Sequence, residues 1–188
     1  MRVWKSFVDN AIDQGDKAAS FVSRILGKSV RLVYMGDDTH RPVNAEVAPG
    51  HEVSFADGYP FLVASTSSLS DLNRRIPKVE DRVPMERFRP NIVVEGLHPW
   101  TEDIVGARLK FKSGHVIRLV KPCDRCKVTT TDQQTGIVSS NQEPLKTLRT
   151  FRRIKNSAEV FFAMNAVLEI QGHGPMELGE VEMDWFTK

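Results

Sequence analysis

The sequence of residues 107–126 is ARLKFKSGHVIRLVKPCDRC, and it contains two apolar runs that meet at a turn. Residues 107–112 and 115–120 have the length and composition of strands, and Ser113 and Gly114 between them are typical turn residues. The two runs therefore predict a β-hairpin. Its second strand leads the chain directly into a pair of cysteines.

Both cysteines of the chain lie in this segment, at positions 123 and 126. A thiolate is the one soft, strongly nucleophilic ligand among ordinary side chains. The neighbouring residues Lys121, Arg125 and Lys127 favour the thiolate over the thiol. We therefore expect the chemistry of this protein in residues 121–132.

Other interpretations of these residues stay open. Cys123 and Cys126 have the spacing of a thioredoxin-like redox pair, although the strand pattern does not favour that fold. As half of a zinc site they lack a second pair, and the histidines are dispersed: His40, His51, His98, His115 and His173. Cys123 can also be a small buried residue, and the three basic residues can form a solvated surface.

Composition describes an ordinary soluble domain. The chain has 188 residues, 40% of them hydrophobic, and its 26 basic and 24 acidic residues give a net charge of +2. No Lys/Arg cluster with interleaved aromatics predicts a nucleic-acid surface, and no apolar run approaches the ~20 residues that a membrane helix needs. We expect neither a nucleic-acid nor a membrane partner. Closely spaced cysteines and no signal-peptide pattern favour a reducing, cytoplasmic location.

The remaining pattern is one of short strands with few helices. In the first third we predict a strand over residues 2–8, a helix from Asp13 or Asp16 to Gly27, a half-buried strand over 29–35 and a loop over 36–51. The helix places Ala18, Phe21, Val22, Ile25 and Leu26 on one face.

Further along the chain the strands continue. Strands are predicted over residues 61–64 and 88–94, and within 161–170 and 181–186. A helix capped by Ser65 or Thr66 buries Leu69, Leu72 and Ile76 and stops at Pro77, and another opens near Pro144. The whole pattern predicts a mixed α/β, mainly β fold: a β-barrel with peripheral helices.

Several ordered motifs together resemble one known family, the MOSC domain, and within it the amidoxime-reducing components and their bacterial relatives. They are residues 57–60 (DGYP), 68–73 (SLSDLN), 88–94 (FRPNIVV), 102–103 (ED), 122–126 (PCDRC), 129–130 (TT) with Asp132 and Gly136, and 143–148 (EPLKTL). The resemblance implies a MOSC-type barrel over residues 29–188. It assigns residues 1–28 to the last part of an N-terminal region that accompanies such domains, with a helix, in one compact unit.

The resemblance also implies a molybdenum cofactor, a pterin dithiolene that holds the metal. In the family the second cysteine of the pair is the metal ligand and catalytic residue, which makes it Cys126 here. Cofactor contacts are implied for Asp57, Gly58, Tyr59, Arg89, Asn91, Asp124, Arg125 and Asn165. A guanidinium matches phosphate geometry, and an Asn offers both donor and acceptor to a pterin edge. Without the resemblance, Arg89 would be a structural ion-pair partner and Asp103 a loop or cap residue.

The implied activity is the reduction of N-hydroxylated compounds, such as hydroxylamines, amidoximes and N-hydroxylated bases, to the amine and water. Electrons would come from a separate iron–sulfur or flavin donor, because this chain has no cluster-binding cysteines. The family also carries a general association with pyridoxal phosphate. Two rival hypotheses are a non-catalytic carrier that holds cofactor or sulfur on Cys126, and an inert MOSC fold.

Overall fold

A computed structural model describes residues 1–3, 6–153, 157–177 and 179–185. The chain divides into two compact units, Met1–Tyr59 and Pro60–Lys188. The boundary that the sequence predicts at residue 29 stays a prediction, and the two units are described separately.

The first unit contains short elements. They are β1 (Arg2–Val3), β2 (Ser6–Phe7), β3 (Ile12–Asp13), α1 (Gly15–Leu26) and β4 (Val33–Tyr34). β1 pairs with β2 and β3 pairs with β4, both antiparallel. The strand predicted over residues 2–8 is thus two short strands on either side of residues 4–5, which lie outside the described residues.

Helix α1 ends where the sequence predicts, because Gly27 takes the left-handed conformation with φ 64°. The N-cap is Gln14 rather than Asp13 or Asp16, although the Asp13 carboxylate does accept a hydrogen bond from the Gly15 N–H. The apolar face differs from expectation, since Phe21 and Ile25 are exposed and Ala19 is the buried residue. The strand predicted over 29–35 is only two residues long, because few other residues cover its apolar side chains.

A buried arginine organises the rest of the first unit. Arg41 is 3% exposed, and its guanidinium donates to the backbone carbonyls of Ser54, Ala56 and Asp57. Its own backbone carbonyl accepts from the Val53 N–H at 2.9 Å. This side chain adds to the isolated antiparallel bridge between Pro42 and Glu52, because it satisfies three carbonyls at once.

The second unit contains a larger sheet. Its strands are β5 (Phe61–Ser65), β6 (Ile92–Val94), β7 (Arg108–Phe111), β8 (Val116–Asp124), β9 (Phe161–Ile170) and β10 (Val181–Asp184), and its helices are α2 (Thr66–Arg75) and α3 (Leu145–Phe151). Short 3₁₀ helices lie at Val79–Asp81, Met85–Arg87, Thr101–Asp103 and Lys127–Thr130. The predicted hairpin is confirmed, with β7 and β8 antiparallel around Gly114 at φ 82°.

The six strands form one sheet in the order β10-β7-β8-β9-β5-β6, which curls into a half-barrel. All neighbours are antiparallel except β5 and β6. The predicted mixed α/β, mainly β fold class is confirmed, as are strand β5 and helix α2 with Leu72 and Ile76 buried. The strand predicted over 88–94 is shorter, since residues 85–87 form a 3₁₀ turn that Phe88 ends.

A bulge in β9 directs its side chains to two apolar clusters. Pro122 pairs with Met164 but Asp124 pairs with Phe161, so β9 has one extra residue there, and Ala163 has φ 69°. Phe162 and Ala163 consequently both lie in one cluster, with Phe88 and Leu148, whereas Met164 lies in the other, with Ile117. We name these the Phe162 cluster and the Ile117 cluster.

A polar network borders the Phe162 cluster. Glu102 is fully buried, and its carboxyl accepts from the Ser68 hydroxyl at 2.9 Å. Burial raises the pKa of Glu102, and the Ser68 hydrogen bond opposes this only in part. Beside it, Asp103 forms an ion pair with Arg152 at 2.5 Å, so Asp103 is more than the loop or cap residue expected from sequence. The Arg152 guanidinium also lies over the Trp100 ring at 4.4 Å.

Within the described residues, no helix has both the length and the apolar composition needed to cross a membrane.

Candidate functional site

The two cysteines lie at the end of β8 in different environments. Cys123 is half-buried on the strand, whereas Cys126 is exposed and immediately precedes the 3₁₀ helix Lys127–Thr130. The Cys126 carbonyl accepts from both the N–H and the hydroxyl of Thr129, at 3.2 and 3.0 Å. The backbone of Cys126 is therefore fixed while its thiol faces outward, which suits a residue that binds a ligand.

Arg125 connects the cysteine segment to two other parts of the second unit. Its guanidinium donates to the Cys123 sulfur at 2.9 Å and to the Phe88 carbonyl at 2.8 Å, and it lies 5.6 Å from the centre of the Phe88 ring. Its backbone N–H donates to the Val160 carbonyl at 2.8 Å. Four of its interactions are thus internal, so its predicted contact with a cofactor would be an additional one.

Arg89 follows Phe88 and has an unusual backbone. Its φ is 55°, a left-handed conformation that a non-glycine residue adopts at a cost of about 1 kcal/mol or more, and Pro90 comes next. Its side chain is exposed, and it forms no ion pair with any carboxylate in the part of the chain that the structure describes. The ion-pair role expected without the resemblance is thus not seen among the described residues, and the predicted cofactor contact of Arg89 stays a prediction.

Asn91 and Asn165 lie in one row across the sheet. Leu62 N–H donates to the Asn91 side-chain oxygen at 2.8 Å, and Leu62 pairs with Asn165 on β9. Asn165 pairs in turn with Lys121 on β8. Asn165 therefore lies on the strand next to the cysteine-bearing strand, and Asn91 immediately precedes β6, three strands from it. The Asn91 oxygen already accepts one internal hydrogen bond, so its second lone pair and its amide nitrogen are the groups left for a ligand.

Asp124 lies between the cysteines on the exposed side of β8. It pairs with Phe161 on β9, and its carboxylate is 4.0 Å from the Lys121 ammonium. Asp57, Gly58 and Tyr59 belong to the first unit, where the Asp57 carbonyl accepts from Arg41. The predicted cofactor contacts of these four residues stay predictions.

A half-buried ion pair at the end of the cysteine segment was not anticipated from the sequence. Arg87 donates to the Asp132 carboxylate at 3.0 Å and is 13% exposed. Hydrogen bonds from the Thr135 N–H and hydroxyl lower the pKa of Asp132, which keeps the carboxylate ionised. The sequence motif around Asp132 was recognised. The residues near Arg87 in the sequence do not indicate that it pairs with Asp132, 45 residues later.

A metal ion bound without a cofactor requires a cluster of ligating side chains. Across the described ranges, no three His, Cys, Asp or Glu side chains are grouped so that they could hold a metal ion. The cysteines also differ from a thioredoxin-like pair, because one lies on a strand and the other precedes a four-residue 3₁₀ helix.

Comparison with known proteins identifies several relatives. Mitochondrial amidoxime-reducing component 1 of Mus musculus is 38% identical over 156 residues, which cover 80% of this chain and 44% of the relative. The Homo sapiens component 1 is 30% identical over 178 residues, or 89% of this chain and 51% of the relative. The molybdenum cofactor sulfurase of Arabidopsis thaliana is 30% identical over 144 residues, or 69% of this chain and 17% of the relative.

The chain spans about half the length of the amidoxime-reducing relatives that it matches. Residues 50–181 match the MOSC domain, and this range includes both cysteines and the whole half-barrel up to the start of its last strand. The chain therefore belongs to the MOSC domain family.

Proposed function

We propose that this protein is a molybdenum-cofactor-dependent oxidoreductase that reduces N-hydroxylated compounds to amines. The observation that carries the proposal is the exposed Cys126 thiol, held on a fixed backbone in a chain similar to proteins named amidoxime-reducing components. The reaction consumes two electrons and two protons, breaks the N–O bond and releases water.

The residues around Cys126 suit an anionic cofactor whose metal takes a sulfur ligand from the protein. Buried guanidinium nitrogens lack hydrogen-bond partners on both Arg87 (Nε and Nη1) and Arg125 (Nε). Unsatisfied buried donors are costly, and a nearby negative charge offsets part of that cost. A thiolate donates electrons strongly to an electron-poor metal, and the exposed Cys126 is the cysteine able to supply it.

In this proposal Cys126 binds the metal, Arg89 binds a phosphate through its exposed guanidinium, and the amides of Asn91 and Asn165 orient the pterin edge. Arg125 positions the cysteine segment against the Arg89 segment through the Phe88 carbonyl. When bound, the cofactor supplies a redox metal able to store two electrons. Asp57, Gly58, Tyr59 and Asp124 are further proposed contacts, and pyridoxal phosphate binding and a cytoplasmic location remain predictions.

The test is the molybdenum and pterin content of the protein made in a cofactor-competent host, together with turnover of an aryl amidoxime by a small chemical reductant. We expect about one equivalent of molybdenum and measurable turnover in the parent. Cys126→Ser should lose turnover. The matched variant Cys123→Ser should keep both its molybdenum and its turnover, since a serine hydroxyl can still accept a hydrogen bond from Arg125. A parent protein without molybdenum would contradict the proposal.

A second candidate is a non-catalytic carrier in which Cys126 holds sulfur for another enzyme. It is favoured by the similarity to a protein named molybdenum cofactor sulfurase. Treatment with a persulfide donor, followed by mass spectrometry, would then add one sulfur atom to Cys126. Cofactor content without amidoxime turnover, combined with this sulfur transfer, would support the carrier and not the reductase.

A further inference from the structure

Helix α3 has one buried and one exposed face. Leu145, Thr147 and Leu148 are buried against the second unit. On the opposite side Lys146 and Arg149 are exposed, and Arg153, which is also exposed, follows two residues after the helix end in an antiparallel bridge with Val160. The spacing of three residues places Lys146 and Arg149 on one helical face, and Arg153 adds a third exposed cation near the C-terminal end of that helix. We call Lys146, Arg149 and Arg153 the basic stripe.

The basic stripe is not neutralised by the rest of the described chain. None of its three residues forms an ion pair with a carboxylate of a described residue, and Arg149 instead donates to the Gln142 side chain at 3.3 Å. Neighbouring Arg152 shows the contrast, because it is largely buried and paired with Asp103. The nearest acidic residues in sequence are Glu143, which is buried, and Glu159, which is exposed.

The position of the stripe links it to the candidate site. Helix α3 packs against the 3₁₀ helix Lys127–Thr130, which begins directly after Cys126. Lys127 in that 3₁₀ helix is also exposed and adds to the positive surface. A molecule bound to the basic stripe would therefore lie one helix away from the cysteine segment.

We infer that the basic stripe is the docking surface for a small acidic electron-carrier protein. The inference rests on the proposed function, which needs two electrons from outside the chain. Two reduced carrier molecules give one electron each, and two protons from solvent complete the conversion of R–NHOH to R–NH₂ and water. Complementary charge favours fast, transient association, which is what a carrier that must leave after each transfer requires.

The experiment uses an acidic flavodoxin, chemically reduced, as electron donor for amidoxime reduction at low and high salt. Arg149→Glu/Arg153→Glu should lower kcat/KM for flavodoxin about tenfold or more at low salt and should weaken its salt dependence. Arg149→Lys/Arg153→Lys keeps the charge and should stay close to the parent. Turnover driven by a small viologen reductant should be unchanged in every variant, because it needs no protein docking.

Lys112→Glu is the matched control for Arg149→Glu, because the two substitutions change the net charge equally. Lys112 lies in the β7–β8 turn, at the opposite end of β8 from the cysteines, and forms an ion pair with the highly exposed Glu180. An equal loss of flavodoxin-driven rate in both would overturn the inference, as would no loss in the arginine variants.

Binding of oxidised flavodoxin, followed by isothermal calorimetry, keeps the inference testable if the protein shows no turnover with viologen. Absent viologen turnover would count against the proposed function alone. Salt-dependent flavodoxin binding in the parent that is lost in Arg149→Glu/Arg153→Glu would still support docking at the stripe. No flavodoxin binding, or stripe-dependent binding to double-stranded DNA instead, would overturn it.

Discussion

The two units reach their folds by different means. The second unit has two apolar clusters on a six-stranded sheet, with Phe162, Leu148 and Ile117 fully buried. The first unit has two-residue strands, and Phe7, Phe21 and Ile25 are each more than half exposed. Its 41–57 segment buries the small residues Val43, Ala48 and Val53, and the buried guanidinium of Arg41 also binds three of its backbone carbonyls. Apolar burial therefore stabilises one unit, and directional polar bonds stabilise part of the other.

The largest expected effect comes from Phe162→Ala in the second unit. Phe162 is fully buried, stacks on Phe88 with ring centres 3.8 Å apart and meets the Trp100 ring edge-on at 5.9 Å. Removing the ring leaves a cavity and should lower the free energy of unfolding by about 3–5 kcal/mol. Chemical denaturation measures this, with Ile170→Ala on the same strand as the exposed control. Equal losses in both variants would contradict a burial-dominated second unit.

Arg41→Met should have the next largest effect, and a local one. It leaves three carbonyls unsatisfied, so we expect a loss of about 2–3 kcal/mol. Hydrogen exchange should accelerate in residues 41–57, and the β7–β8 hairpin should stay protected. Arg41→Lys keeps the positive charge but removes the planar guanidinium. If this variant kept full hydrogen-exchange protection in residues 41–57, the guanidinium geometry would not be needed.

Glu102→Gln should change how the unfolding free energy depends on pH, through a buried polar group of the second unit. Because burial raises the pKa of Glu102, the folded state binds its proton more tightly than the unfolded chain does. The stability it contributes is full below the unfolded pKa of about 4.3 and is lost as pH rises through the raised folded value. Glu102→Gln should therefore flatten the decline of unfolding free energy with rising pH. Denaturation curves at several pH values test this, and parallel pH profiles for parent and variant would contradict it.

The smallest effect is expected for Ile25→Ser on α1. Ile25 is 65% exposed, and serine and isoleucine have similar helix propensities, so the unfolding free energy should change by less than about 0.5 kcal/mol. Thermal unfolding followed by circular dichroism is sufficient to detect a larger change. A loss comparable to that of Phe162→Ala would mean that the α1 face is covered in solution.

Local signals in the sequence were reliable where turn chemistry fixed them. The β7–β8 hairpin, the α2 start at Ser65 and the α1 end at Gly27 all depend on residues within a few positions of each other. The strand predicted over 29–35 was too long. Alternating apolar and polar side chains form a buried strand only where another element covers the apolar side. The candidate site was found from motifs, but the internal use of the Arg125 guanidinium and the Asn91 oxygen was not.

The sequence by itself determined the family, the mainly β fold class and the pair of cysteines after a strand. Only the tertiary structure decided which polar groups from distant segments contact each other. Arg125 meets the Phe88 carbonyl across 37 residues, Ser68 meets Glu102 across 34, and Arg87 meets Asp132 across 45. Such pairs form when distant segments exclude water from the same place, and the free energy of a buried charge depends on that shared environment.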